Sequence, residues 1–246
     1  FLMATPGTRF VTIGGAIAND VHGKNHHKSG TFGCHVLGFE LLRSDGQKLF
    51  CSKDKNKELF SATIGGLGLT GIITWAKFSL LRVDSALMDV ETISFRNLDE
   101  FFRISKSSDY SYDYTVAWID SLAKGSEIGR GVFKRANHSH SAPLSHSKPR
   151  RMSIPINPPF SLVNNSSLKI FNSLYRWNSA RKEGCNSENI IPFFYPLDSI
   201  RNWNNIYGQK GFLQYQCVIP MNNAKRIIRE ILERISISGQ GSFLAV

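Results

Sequence analysis

Long apolar runs are missing from this sequence of 246 residues, so no membrane-spanning helix is predicted. Cysteine is scarce, and Cys34, Cys51, Cys185 and Cys217 form neither a C-x-x-C pair nor a spacing typical of zinc sites. They are therefore predicted to be free thiols, buried in a protein of a reducing compartment. Because no signal peptide is visible either, a cytoplasmic protein is predicted. A peripheral position at the inner membrane, on either face, is the alternative.

Acidic residues are scarce in one region of the chain. Between Lys124 and Lys182 there are eleven Lys and Arg residues, and Glu127 is the only acid. Such a basic stretch suits phosphates, anionic lipid headgroups or nucleic acid. A solvated loop is the simpler alternative. Aromatic residues for base stacking are sparse there, so nucleic acid is not a predicted partner.

Three common kinds of functional site are not predicted. No G-x-S-x-G elbow is present, which argues against an α/β-hydrolase. The run from Gly66 to Gly71 fits G-x-G-x-x-G, but a dinucleotide-binding motif needs a helix after it. Here β-branched and aromatic residues follow, which predicts a strand instead. His22, His26, His27 and His35 have no acid or cysteine at a suitable spacing, so no metal site is predicted.

Residues 14–27, GGAIANDVHGKNHH, carry the strongest functional signal. Two glycines close a strand-like run at residues 10–13, and a dense polar cluster follows. Glycine lets the backbone approach a flat or phosphorylated ligand closely. His22, Lys24 and Asn25 supply hydrogen-bond donors and a titratable group. The pattern predicts a loop that contacts a cofactor.

These residues resemble the FAD-contacting segment of the vanillyl-alcohol-oxidase type of flavoproteins, the PCMH-type FAD-linked oxidoreductases. Further matches follow in order along nearly the whole chain: GTFGCHV, ELFSATIGGLGLTGII, YTVAWID, FFYPLD, WNNIYG and GFLQYQCVIP. The resemblance is strongest to bacterial members that act on polyprenyl-phosphoryl pentoses. It is weakest over residues 134–189.

The resemblance implies an FAD-dependent enzyme that dehydrogenates a secondary hydroxyl of a sugar to a ketone, with hydride transfer to the flavin. The implied substrate is a polyprenyl-phosphoryl sugar oxidised at C2′, and the implied partner is a nicotinamide-dependent reductase or epimerase. The basic stretch adds an anionic membrane surface as a further predicted partner. Two alternatives remain open: an aldonolactone or free-sugar oxidase of the same fold, and a cofactor-free protein that binds anions or membranes.

The resemblance also implies roles for individual residues. His22 is expected beside the flavin ring as the catalytic residue. Flavin contacts are expected from Gly7, Thr12, Ile13, Gly14, Gly15, Asn19, Asp20, Val21, His22 and Ile73. Substrate contacts are expected from Lys24, Trp118, Phe194, Gln214 and Gln216. Phe194 departs from the family pattern, because a hydroxyl-bearing aromatic is expected there and Tyr195 instead follows it.

From the residues alone, purely structural roles remain open for several of these positions. His26, His27 and His35 can be structural histidines, and Trp118 can be a core aromatic. Gln214 and Gln216 share one face of a predicted strand, which can also face solvent.

An α+β fold is expected. Residues 1–85 would form the C-terminal part of a PCMH-type FAD-binding domain. Residues 86–246 would form a substrate (cap) domain with a mainly antiparallel sheet flanked by helices. Strands are predicted at 39–43, 48–51, 72–81, 88–94, 114–119, 129–134 and 212–218, and a turn at Asp45 and Gly46 is predicted to join the first two as a hairpin. Helices are predicted at 57–63, at 101–106 with Asn97 or Asp99 as its cap, and after Asn222 or Asn223 as the cap of the last. The last helix has one predicted apolar stripe, formed by Ala224, Ile227, Ile228, Ile231, Leu232 and Ile235. In strand 72–81, strict alternation puts Ile73 on the face opposite Ala76.

Residues 136–168 are rich in Ser, Pro, His and Asn and are predicted to form a mobile loop. The chain begins at Phe1, close to the cofactor loop, and ends within a strand-like run at residues 242–246. We therefore expect the middle of a longer protein, with a phosphate-binding part upstream and further catalytic elements downstream.

Overall fold

The computed structural model describes residues 1–140 and 152–246. Within them the chain forms two compact units. The first unit is built mainly from Phe1–Ala86 and Asn189–Asp198, and the second from Leu87–Ser139, residues 152–188 and Ser199–Val246. Both units combine helices with antiparallel strand pairs, which confirms the α+β class.

A three-stranded antiparallel sheet forms the centre of the first unit, in the order β2-β1-β3. Its strands are β1 (Val36–Leu42), β2 (Lys48–Ser52) and β3 (Ile72–Phe78). The predicted hairpin between β1 and β2 is confirmed, and Gly46 in its turn has a φ of +83°, which glycine adopts without strain.

A β-bulge changes which side chains of β3 face the core. The pairing of β1 with β3 shifts register after Glu40, so that Leu41 pairs with Ile73 and Thr74 is the extra residue. Ile73 therefore packs against the same core as Ala76. The predicted strict alternation, with Ile73 on the opposite face, is wrong because a bulge sets two residues opposite one.

The strand-like run at residues 10–13 does not form a strand. Thr12 instead caps the first helix, because its hydroxyl accepts the Gly15 N–H at 3.0 Å. This local hydrogen bond outweighs the β-branched residues around it. The helices of the unit are α1 (Ile13–Ala18), α2 (His26–Ser29), α3 (Lys57–Thr63, as predicted) and α6 (Ile190–Phe194).

The core of the first unit lies between the sheet and these helices. Its buried apolar side chains include Ile17, Phe32, Val36, Phe39, Leu41 and Phe60. Cys51 belongs to this core, and burial raises the pKa of its thiol. All four cysteines are free, as predicted, but the predicted burial is wrong for Cys34, Cys185 and Cys217, which are exposed.

A four-stranded sheet in the order β5-β6-β4-β8 forms the centre of the second unit. Its strands are β4 (Leu87–Phe95), β5 (Tyr114–Ile119, as predicted), β6 (Gly131–His138) and β8 (Gly184–Asn189). Its helices are α4 (Leu98–Ser108), α5 (Asn165–Ala180) and α7 (Met221–Ser238). Asn97 caps α4 through its side chain, which accepts the Glu100 N–H, as one of the two predicted caps.

The predicted loop over residues 136–168 is wrong at both ends. Residues 136–138 continue β6 because β4 offers them ladder partners, with Ala136 opposite Val90. At the other end, a capping box at Asn164 starts α5 before residue 168. Between them, β7 (Met152–Ser153) pairs in parallel with β9 (Ile200–Arg201). Residues 141–151 of the predicted loop lie outside the described residues.

Three further predictions near the end of the chain are wrong. Residues 212–218 form no strand, because a strand needs a hydrogen-bonded neighbour and no strand in the described ranges pairs with them. α7 begins after Pro220, so Asn222 and Asn223 lie inside its first turn and do not cap it. The run at residues 242–246 is also not a strand.

The predicted apolar stripe of α7 is confirmed. Its members are all buried or half-buried: Ala224, Ile227, Ile228, Ile231, Leu232 and Ile235. Among the described helices, none is both long enough and apolar enough to cross a bilayer.

A buried ion pair follows β5 in the second unit. The carboxylate of Asp120 accepts hydrogen bonds from Arg130 Nε at 3.0 Å and Nη2 at 2.9 Å, and its side chain is 3% exposed. Asn172 Nδ2 on α5 also donates to it at 2.6 Å. Glu127 pairs with the same guanidinium, but its side chain is 57% exposed.

Asp120→Ala is expected to lower the free energy of unfolding of the second unit by about 3 kcal/mol, because the largely buried guanidinium of Arg130 keeps only the exposed Glu127 and the buried amide of Asn172 loses its acceptor. The matched control is Glu127→Ala, which should change that free energy by at most about 1 kcal/mol. Urea denaturation followed by circular dichroism measures both variants. Equal losses in the two would contradict the prediction.

Candidate active site

The predicted cofactor residues of the first unit gather around the end of α1. Asp20, just after this helix, has a left-handed backbone with a φ of +43°. Its Oδ1 accepts the Gly33 N–H at 2.8 Å. A Cβ on Gly33 would lie 2.3 Å from Ile64 Cγ2 and 2.8 Å from Asp20 Oδ1, so this close approach requires glycine.

The glycine-rich loop between α3 and β3 lies against the same helix end. Gly65 N–H donates to the Ile17 carbonyl at 3.0 Å, and Leu67 N–H donates to the Ala18 carbonyl at 2.8 Å. A Cβ on Gly66 would lie 2.1 Å from the Ala62 carbonyl oxygen. Strand β3 follows the loop, which confirms the prediction that this G-x-G-x-x-G run is not a dinucleotide-binding motif.

Two predicted flavin contacts on different elements come together here. A Cβ added to Gly14 of α1 would lie 3.7 Å from Ile73 Cβ of β3, which is an ordinary van der Waals contact. Asn19, just after α1, is hydrogen-bonded to that helix, since its Nδ2 donates to the Gly15 carbonyl at 2.9 Å. A Cβ on Gly7, in contrast, would meet no atom within 4 Å.

Apolar side chains are exposed along the segments that meet at α1. They are Phe10, Val11 and Ile13 before and at the start of the helix, and Leu67, Leu69 and Ile72 in and after the glycine-rich loop. Exposed apolar groups of this kind are typical of ligand-binding surfaces.

Lys24 and Phe194, both predicted to contact substrate, lie next to each other in the first unit although 170 residues separate them in sequence. Lys24 Nζ donates to the Phe194 carbonyl at 3.0 Å. The ammonium also lies 5.7 and 5.8 Å from the ring centroids of Phe193 and Phe194, a distance at which a cation is attracted to an aromatic face. The Phe194 ring is fully buried and lies 4.8 Å from that of Phe1.

Asp198 has a role that the sequence did not suggest. Its largely buried carboxylate accepts the Thr8 hydroxyl at 2.7 Å and the Arg9 N–H at 2.9 Å. It therefore joins the chain that leads into α1 to the segment that carries Phe194. The only signal in the sequence was its place at the end of FFYPLD. Burial, and then the charge of Asp198, raise the pKa of Tyr195, so this phenol stays protonated at neutral pH.

His22, the predicted catalytic residue, is exposed and forms an isolated antiparallel bridge with Thr31. Its ring lies edge-on to that of His26, with the centroids 6.0 Å apart. Other histidines have structural partners: His26 Nδ1 lies 3.2 Å from the Gly23 carbonyl, and His35 Nε2 lies 2.9 Å from the Ser29 carbonyl. Within residues 1–140 and 152–246, no group of three His, Cys, Asp or Glu side chains could hold a metal ion.

The other predicted substrate residues lie in the second unit. Trp118 is buried, its Nε1 donates to the Phe243 carbonyl at 2.9 Å, and its ring lies 4.7 Å from that of Tyr175. Gln214 and Gln216 are exposed, in a segment without regular structure. In the described residues no hydrogen bond links Trp118 to either glutamine.

The basic stretch is partly neutralised in the second unit. Lys134 pairs with Glu188 at 2.6 Å, and Arg135 pairs with Glu91 at 2.9 Å. Together with the Arg130 pair, these contacts remove three cations of the stretch from the charge that an anionic partner would meet.

Gly33→Ala is expected to lower the free energy of unfolding of the first unit by about 1–3 kcal/mol, because the new methyl group overlaps Ile64 and the Asp20 carboxylate. Gly7→Ala is the matched control, since its Cβ would meet open space, and it should change stability by at most about 0.5 kcal/mol. Thermal denaturation compares the two variants. A stable Gly33→Ala protein would contradict the close approach of Asp20 to Gly33.

Comparison with known proteins relates the chain to oxidoreductases. No family model matches it. Decaprenylphosphoryl-β-D-ribose oxidase of Mycolicibacterium smegmatis is 35% identical over 252 residues, which cover 98% of this chain and 54% of that protein. An uncharacterised protein of Streptomyces coelicolor is 39% identical over 56% of this chain and 37% of its own length.

A more distant similarity covers a smaller part of the chain. Cytokinin dehydrogenase 7 of Oryza sativa subsp. japonica is 32% identical over 117 residues, which cover 44% of this chain and 22% of that protein. The chain thus spans about half the length, or less, of these relatives. The similarity along nearly its whole length makes the chain a relative of decaprenylphosphoryl-β-D-ribose oxidase, in agreement with the vanillyl-alcohol-oxidase type of flavoprotein that its motifs resemble.

Proposed function

We propose that this chain is part of an FAD-dependent oxidoreductase that dehydrogenates a secondary hydroxyl of a sugar. The proposed substrate is a polyprenyl-phosphoryl pentose, oxidised at C2′ to a ketone. The observation that carries the proposal is the convergence of predicted site residues in the first unit, with Gly14 beside Ile73 and Lys24 beside Phe194. The similarity to decaprenylphosphoryl-β-D-ribose oxidase supports the choice of substrate class.

The residues around α1 fit a flat cofactor. A Cβ added to Gly14 would make only an ordinary contact with Ile73, and one added to Gly7 or Gly68 would meet no atom within 4 Å, so open space lies beside these glycines where a ring could approach the backbone. Exposed apolar side chains such as Ile13 and Leu67 offer a surface for it. When bound, FAD would supply the acceptor for the hydride that leaves the sugar carbon. The proposed contacts are Gly7, Thr12, Ile13, Gly14, Gly15, Asn19, Asp20, Val21, His22 and Ile73.

His22 is the proposed catalytic residue, at the edge of the cofactor. Its imidazole is exposed, and the two nitrogens of such a ring can donate and accept hydrogen bonds. The backbone bridge to Thr31 holds its position in the loop. We assign His22 to orienting the reacting hydroxyl and to tuning the cofactor through a hydrogen bond.

Lys24 is the proposed contact for a phosphate or sugar oxygen of the substrate. The Phe194 carbonyl and the two neighbouring phenylalanine rings hold its ammonium in place. An ammonium fixed in this way acts as a point charge toward an anion. Trp118, Gln214 and Gln216 are further proposed substrate contacts. Asp198 is a proposed positioning residue, because it ties the approach to α1 to the Phe194 segment.

The product suggests a partner enzyme. A ketone at C2′ can be reduced again from the other face of the ring, which would invert that carbon. A nicotinamide-dependent reductase or epimerase is therefore the proposed partner.

The purified full-length protein is expected to show a flavin absorbance spectrum that bleaches when a polyprenyl-phosphoryl pentose is added without oxygen. His22→Ala should slow this bleaching about tenfold or more, the effect of losing roughly 1.4 kcal/mol of stabilisation in the transition state. His27→Ala, a change at a second exposed histidine in the same segment, is the matched control and should bleach at the wild-type rate. The melting temperature should move little in either variant.

The outcomes of this experiment separate the alternatives. A protein without flavin absorbance would be a cofactor-free binder. Equal bleaching by an unphosphorylated sugar or an aldonolactone would indicate a free-sugar oxidase. A large loss of stability in His22→Ala with normal bleaching would assign His22 a structural role.

Lys24→Met is expected to raise the KM for the phosphorylated substrate about tenfold to a hundredfold, because a charge-assisted hydrogen bond is worth roughly 1.5–3 kcal/mol. The flavin content should be unchanged. Lys28→Met is the matched control, since Lys28 is an exposed lysine of the same segment. Steady-state kinetics compare the two variants, and equal KM values would place Lys24 outside the substrate site.

A further inference from the structure

Helix α5 packs on the sheet of the second unit through one narrow face. Leu168, Asn172 and Ser179 are its buried residues, and they recur at spacings of four and seven. Asn172 anchors this face through its hydrogen bond to Asp120. A rotation of 100° per residue puts these three side chains on one line along the helix.

The opposite face of α5 is apolar as well, although it is exposed. Ile170, Leu174 and Trp177 follow one another at spacings of four and three, and their exposed fractions are 62%, 58% and 58%. By helical rotation they lie about 180° from the buried face. A helix that packs on a sheet normally turns polar residues outward. This face, called here the outer α5 stripe, is therefore unusual.

Cations border the outer α5 stripe and acids are missing from the helix. No Asp or Glu occurs between Asn165 and Lys182, whereas Lys169, Arg176, Arg181 and Lys182 do. Lys169, Arg181 and Lys182 lie beside or beyond the stripe, and the half-buried Arg176 lies nearer the buried face. Arg181 continues the stripe one turn beyond Trp177, and its guanidinium carbon lies 4.3 Å from that ring centroid. Unlike Lys134 and Arg135, these four cations have no ion pair with an acid among the described residues.

We propose that the outer α5 stripe docks on the surface of an anionic lipid bilayer. Apolar side chains that include a tryptophan, bordered by long basic side chains, are the chemistry of helices that lie in the membrane interface. The apolar groups enter the headgroup boundary, and the Lys and Arg stems extend beside them so that the charges reach lipid phosphates. The absence of acids from α5 favours a negatively charged partner over a neutral apolar one.

This docking surface does not depend on the flavin chemistry. It lies in the second unit alone. It concerns where the protein is located, and the proposed reaction does not. A lipid-linked substrate would be presented at such a surface. Binding to vesicles without turnover tests the docking, so its failure would leave the proposed reaction untouched.

The test measures sedimentation of the intact protein with vesicles of equal parts phosphatidylcholine and phosphatidylglycerol. The double variant Leu174→Ser, Trp177→Ser is expected to bind at least tenfold more weakly, because it removes most of the apolar anchor. The matched control is Ile237→Ser, which removes an apolar side chain that is 79% exposed at the end of α7 in the same unit. It should bind as the wild type does.

The charge contribution is tested separately. Arg181→Ser and Lys182→Ser should each weaken binding about fivefold, which corresponds to about 1 kcal/mol for each cation near an anionic surface. Raising the salt concentration should weaken wild-type binding, and vesicles of phosphatidylcholine alone should bind poorly. Brominated lipids should quench tryptophan emission in the wild type but much less in Trp177→Phe, which assigns the signal to Trp177.

Several results would overturn the proposal. One is equal binding to anionic and neutral vesicles. Another is an equal loss of binding in Ile237→Ser and the double variant. A third is that acrylamide fails to quench the fluorescence of Trp177 in the absence of vesicles, which would show that protein covers the stripe. If the double variant instead dissociates an oligomer that the wild type forms, the stripe is an interface between copies of this chain.

Discussion

The hydrogen bond from the Gly33 N–H to the carboxylate of Asp20 is the contact on which the candidate active site depends. Asp20 accepts it at 2.8 Å while its backbone turns through a left-handed conformation at the end of α1. The neighbouring Val21 carbonyl accepts the Phe32 N–H at 2.8 Å and continues the same contact. Together they set the direction in which the chain leaves α1 and so place His22 and the residues after it.

Glycines make this arrangement sterically possible. The Asp20 carboxylate reaches the backbone because Gly33 has no Cβ, and the glycine-rich loop turns closely against the end of α3 because Gly66 has none either. A second acid, Asp198, then binds the chain before α1 to the segment with Phe194. Two carboxylates that accept backbone N–H groups thus hold the chain before and after the helix around which the proposed flavin contacts lie.

The cations of the second unit serve two different purposes. Arg130, Lys134 and Arg135 are paired with acids and stabilise the unit, and the Arg130 pair is buried against Asp120. The cations of α5, in contrast, border an exposed apolar stripe and are proposed to face lipid. A net charge counted along the chain combines both groups, because it does not distinguish a cation inside an ion pair from one on an open surface.

Features decided within a few residues were predictable from the sequence. The helix at 57–63, the strand at 114–119 and the hairpin around Gly46 formed as expected, since residue propensities, side-chain period and turn chemistry act locally. The rejection of a dinucleotide-binding motif at Gly66 succeeded because it used only the residues that follow. The motif order also identified the family without any three-dimensional information.

Features that need a partner distant in sequence were decided by the tertiary structure. Residues 136–138 became strand because β4 lies beside them, and residues 212–218 did not because no described strand does. The bulge at Thr74 arose from pairing with β1 and moved Ile73 to the core side. The contact between Lys24 and Phe194 and the role of Asp198 join residues more than 160 positions apart. The sequence by itself determined the family resemblance and the local elements. Only the tertiary structure decided which polar groups of the chain meet, because the energy of such a contact depends on neighbours that sequence spacing does not show.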